Sequence, residues 1–78
     1  MNRRHKTEIY TTKTAQDPQE GWAALELLRT THGVAQLVAR VVFWDAEGQF
    51  VLDATSSELP LDVVDEFLAE ARATIKTG

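Results

Sequence analysis

After Gly33 apolar and polar positions alternate with a period of two, and the alternation is sharpest in "VVFWDAEGQFVLD", Val41 to Asp53. That pattern, broken by Asp45–Gly48, predicts a β-hairpin. Two registers compete. With a four-residue loop, Trp44 pairs with Gln49, Phe43 with Phe50, Val41 with Leu52 and Ala39 with Ala54. One face then reads Leu37, Ala39, Val41, Phe43, Phe50, Leu52 and Ala54, with no polar member. With a three-residue loop, Asp45 pairs with Gln49, and Arg40 and Asp53 fall on otherwise apolar faces. A slip of one residue inverts the faces of a strand, so the cleaner pattern selects the first register. Gly48 can supply a positive φ in either loop, and turn chemistry alone does not choose.

Upstream, "KTEIYTTKT" (Lys6 to Thr14) is rich in Thr with Ile9 and Tyr10, and suits an edge strand. "DPQE" predicts a helix start, with Asp17 as cap, Pro18 at the first helical position and Glu20 reaching back. Trp22, Leu25 and Leu28 follow at spacings of three beside Ala24 and Leu27, an apolar stripe that closes at His32 and Gly33. Gly33 can take the left-handed conformation beyond a helix end, and Arg29 complements the helix dipole. The second expected helix covers residues 59–76, with Pro60 in its first turn and Leu61, Val64, Phe67, Leu68, Ala71 and Ile75 on one stripe. Asp62, Asp65 and Glu66 near its start, and Arg72 and Lys76 near its end, match the macrodipole. Ser56, Ser57 and Glu58 stand where side chains satisfy free helix amides.

The expected order is β-α-β-β-α. It gives an α+β two-layer sandwich, a three-stranded mixed sheet with two helices on one face. The other face would carry Val38, Arg40, Val42, Trp44, Gln49, Val51 and Asp53, a contiguous patch with four apolar side chains. Patches of that kind mark interfaces, so these residues are the expected contact surface of a homodimer. The competing reading has Trp44 capping the hairpin tip, the valines reflecting β-propensity and the N-terminal segment folded over them.

Length and composition bound the function without specifying it. A chain of 78 residues, 44% hydrophobic and 26% charged, fits one small folded domain, read as residues 6–78 behind a flexible basic tail at 1–5. The absence of cysteine removes disulfides and thiol chemistry. "MNRRHKTEIY" lacks the apolar core of a signal peptide, and no apolar run reaches membrane-spanning length, so a cytoplasmic protein without a membrane partner is expected. The net charge of −4 is unevenly spread: Arg3, Arg4, Lys6 and Lys13 make the start basic, whereas residues 41–71 hold no Lys or Arg.

No catalytic constellation stands out. His5 and His32 lack metal-ligand spacing, and "DAEG" lacks the ligands of a calcium loop, so neither metal nor cofactor is expected. Ser56 and Ser57 have no base that the sequence can place, and a domain this small seldom encloses a substrate-sized pocket. Asp62, Glu66 and Glu70 lie four apart on one helix face, a like-charged ladder that a basic protein partner would relieve. The expectation is therefore a non-enzymatic protein-interaction domain, homodimeric through its exposed sheet face. The alternative is a nucleic-acid-binding accessory domain using Arg3, Arg4, Lys6 and Lys13, which the acidic half of the chain disfavours.

Overall fold

Four turns reverse the chain, and each holds at least one residue at positive φ: Lys6 at 57°, Gly21 at 79°, His32 and Gly33 at 51° and 79°, and Gly48 at 64°. In the computed structural model, which describes residues 1–55 and 58–75, these turns link five strands. They are β1 (Asn2–His5), β2 (Glu8–Asp17), β3 (Trp22–Thr31), β4 (Val34–Trp44) and β5 (Gln49–Ala54), followed by one helix, α1 (Leu61–Thr74). Every strand pairs antiparallel with the next, so the five-stranded sheet has the order β1-β2-β3-β4-β5. This corrects the expected three-stranded mixed sheet with two helices.

The error lies in residues 17–31, and its cause is local. The Asp17 carboxylate accepts hydrogen bonds from the amides of Gln19 (3.1 Å) and Glu20 (3.2 Å), the bonds a helix cap would make. Here they hold a four-residue turn, closed by the Gly21 amide on the Asp17 carbonyl at 2.8 Å. Beyond the turn, Leu25 and Leu27 are buried towards the helix while Trp22, Ala24, Glu26 and Leu28 take the other side. A central strand apolar on both faces reads as a near-continuous run, and periodicity cannot separate such a run from a buried helix. Helix preferences worth only tenths of a kcal/mol per residue yield to hydrogen-bond ladders on both flanks.

β2 is an interior strand, because the basic residues expected in a tail form β1 along its outer edge. The predicted β4–β5 register is the observed one, with Trp44 opposite Gln49, Phe43 opposite Phe50, Val41 opposite Leu52 and Ala39 opposite Ala54. One feature escaped the alternation. Between β3 and β4 the register shifts, so that Leu27 faces Ala39 but Leu28 faces Leu37. Val38 is the extra residue of this bulge, and the bulge turns both Val38 and Ala39 into the core while Leu37 moves to the opposite face.

The helix packs on one side of the sheet and buries Val63, Phe67 and Ala71, with Ile75 just beyond its end, in one cluster with Tyr10, Leu25, Leu27, Val41 and Phe43. Its buried stripe is rotated from the expected one: Val63 takes the place given to Leu61, which is 76% exposed. Full burial of a side chain such as Phe67 or Leu27 contributes about 1.5–3 kcal/mol, and the stripe holds the helix down. Pro60 occupies the N-cap position with no side-chain bond to the first turn. Ser56, Ser57 and Lys76, read above as capping and dipole-matching residues, lie outside the described residues.

Candidate functional site

Because β1–β5 form one layer and α1 covers only one side of it, the second side of the sheet is bare among the described residues. Odd-numbered positions of β2 and β5 and even-numbered positions of β3 point to this side, joined on β4 by Arg40, Val42 and Trp44. Cross-strand pairing arranges them in rows. Trp22 and Trp44 form one row with Asp17 and Gln49, and Ala15, Ala24, Val42 and Val51 form the next. Then come Lys13, Glu26, Arg40 and Asp53, and beyond them Thr11, Leu28 and Leu37.

The tryptophan end is the most structured part of the face. The two indoles stand 6.4 Å apart at 55°, and with Arg40 and Val42 they line a hollow of ≈140 Å³. In the neighbouring row Ala24 and Val42 are themselves buried within the single chain. The tips of the two flanking hairpins are tied by the Asp45 amide, which donates to the Gly21 carbonyl at 2.9 Å. "DAEG" itself is the β4–β5 turn, closed by the Gly48 amide on the Trp44 carbonyl at 2.9 Å. Arg40 is loosely held: its guanidinium stands 3.8 Å from the Asp53 carboxylate, and its Nε is buried without a partner among the described residues.

Of the residues expected at the interface, Arg40, Val42, Trp44, Gln49 and Val51 lie on this bare side. Val38 does not, because the bulge places it in the core with no exposed surface. Trp22, Ala24, Glu26 and Leu28 were missed, since their alternation becomes a face only once residues 22–31 are a strand. Asp62, Glu66 and Glu70, expected to meet a basic partner, meet basic groups of the same chain. Arg3 on β1 stands 3.1 Å from Glu66 and 3.7 Å from Asp62, and the Met1 amino group lies 2.9 Å from Glu70. Thr12 donates a further bond of 2.8 Å to Glu70.

A second, broader hollow of ≈680 Å³ lies at the opposite end, lined by residues that include His5, Lys6, Glu8, Tyr10 and Arg29. Its central acid is already engaged: Glu8 receives long contacts from the Tyr10 hydroxyl (3.4 Å), the Thr31 hydroxyl (3.4 Å) and Arg29 Nε (3.5 Å). This arrangement fastens β2 to β3 rather than freeing a base. His32 sits in the two-residue turn between β3 and β4. Among the described residues, no three His, Asp or Glu side chains are placed to hold a metal ion, and no helix is long and apolar enough to cross a membrane. Set against protein-family models, curated proteins and solved structures, the chain matches none of them.

Proposed function

We propose that this protein is a small non-enzymatic interaction domain that works as a homodimer through its bare sheet face. The observation that carries the reading is the pairing of Trp22 and Trp44 on a side of the sheet that α1 leaves open among the described residues. Trp44, Val51 and Leu37 are 37%, 42% and 37% exposed, so large apolar side chains spread over the face rather than standing singly. Interfaces concentrate their energy in aromatic anchors and arginine, and both residue types meet at the small hollow beside Arg40. Four strands about 4.8 Å apart present a face roughly 19 Å wide, broad enough to seat a second sheet.

The nucleic-acid alternative draws less support. Arg3 is tied to the helix acids, so one of its four cations is engaged within the fold. Sedimentation equilibrium tests the homodimer directly: the wild type should have twice the monomer mass of 8.7 kDa, and Trp44→Asp should have the monomer mass. A wild type that remains monomeric at high micromolar concentration contradicts the proposal.

A further inference from the structure

Lys13, Glu26, Arg40 and Asp53 form one continuous row across β2, β3, β4 and β5 on the bare face, each the cross-strand partner of the next. Read across the sheet, the charges run plus, minus, plus, minus. Apolar rows flank them on both sides, with Ala24, Val42 and Val51 towards the tryptophans and Leu28 with Leu37 on the other. The row is only partly satisfied within the chain. Among the described residues, the one ion pair along it is the loose 3.8 Å contact of Arg40 with Asp53, and Arg40 Nε has no partner.

Such a row discriminates between the two limiting orientations, across and along the strands, of a two-fold axis in the interface plane about which a sheet face meets its own copy. An axis running across the strands, along the row, sets each charge against itself: Lys13 over Lys13, Glu26 over Glu26. Like charges brought together in this way are strongly disfavoured. An axis running along the strands reverses the row end to end. Lys13 then faces the partner's Asp53 and Glu26 faces the partner's Arg40, and symmetry repeats both contacts. The same operation keeps the tryptophan rows at one end, with Trp22 opposite the partner's Trp44. Aligned packing of twisted sheets, at about −30°, leaves these opposed positions within reach of long side chains.

We propose, resting on the homodimer reading, that the partner seated on the bare face is a second copy related by a two-fold axis along the strands, with the charge row setting the register. The pairs Lys13–Asp53 and Glu26–Arg40 select this docking over its alternatives, and the exposed apolar side chains beside the row, Trp44, Val51 and Leu37, supply its affinity. The surface is incomplete in one copy and completed by the other.

Complementary charge reversal tests the register. Lys13→Glu and Asp53→Lys change exposed positions, and each should fold, as followed by far-ultraviolet circular dichroism. Each variant alone should dimerise more than about tenfold more weakly than the wild type, because two opposed pairs become repulsive. An equimolar mixture restores all four attractions, so native mass spectrometry should find heterodimers above the statistical half, at near wild-type affinity. A wild-type dimer with no rescue in the mixture overturns this register and leaves the homodimer standing, whereas a monomeric wild type overturns both. Should either reversal unfold the chain, the neutral variants Lys13→Gln and Asp53→Asn provide a second reading. Wild-type dissociation should increase with ionic strength and do so less in these variants; an unchanged salt dependence contradicts the register.

Discussion

Trp22 and Trp44 face each other across β3 and β4 with ring centroids 6.4 Å apart and planes tilted by 55°, on the side of the sheet away from α1. A tilted pair of this kind stabilises by about 0.5–1.5 kcal/mol beyond the area it buries. A double-mutant cycle with Trp22→Ala and Trp44→Ala, measured by urea unfolding at protein concentrations low enough to keep the chain monomeric, should return a coupling in that range. Additive effects would mean that the two rings do not interact in solution.

Phe67 anchors the helix. It is fully buried, packed within the cluster that joins Val63 and Ala71 to Leu25, Leu27 and Phe43. Phe67→Ala removes that contact and should lower the unfolding free energy by about 3–5 kcal/mol. A domain of this size has a total stability of roughly 4–12 kcal/mol, so the variant should lose a large share of it, read as a lower midpoint of urea unfolding by circular dichroism. A loss below about 1 kcal/mol would place the helix elsewhere.

Arg3 joins the basic strand to the acidic helix through Glu66 at 3.1 Å and Asp62 at 3.7 Å. All three side chains are at least one-third exposed, so solvent screens the contact and its worth is small. Coupling between Arg3→Ala and Glu66→Gln should be about 0.2–1 kcal/mol and should shrink as salt is raised. A coupling of several kcal/mol would contradict the exposed geometry.

His32 holds a positive φ of 51° in the two-residue turn before Gly33. Such turns favour Asn-Gly, because asparagine tolerates the left-handed region better than histidine. His32→Asn should therefore stabilise the β3–β4 hairpin by a few tenths to about 1 kcal/mol, raising the melting temperature by about 1–8 °C. A fall in melting temperature would show that the imidazole makes a contact worth more than the turn strain.

Legibility in this sequence followed the physics of each segment. The β4–β5 register could be read because a one-residue slip forces Arg40 and Asp53 onto apolar faces, so pattern alone had a unique solution. Residues 22–31 could not be read, since a strand apolar on both sides carries little alternation and Asp17 caps a turn with the bonds of a helix start. The bulge at Val38 leaves no signature in composition, and it exchanged Val38 for Leu37 between the two faces. The bare face was therefore half visible: its β5 members and those of β4 from Arg40 to Trp44 were found, whereas Leu37 was assigned to the other face and Trp22 and Glu26 lay within a segment that reads as a helix. The acidic ladder of α1 was seen, but its partner, Arg3, is distant in sequence and no local pattern links them.

The chain has two tryptophans, Trp22 and Trp44, and both lie on the bare face, which makes their fluorescence a direct report on whether that face is covered. The decisive measurement is the emission maximum followed through serial dilution from high micromolar to nanomolar concentration. If two copies bury this face against each other, the emission should be blue-shifted at high concentration and move to the red on dilution, with a midpoint that matches the dimer dissociation seen by sedimentation. An emission maximum that stays constant across the series would contradict the account, because the indoles would then have the same surroundings whether or not a second copy is present.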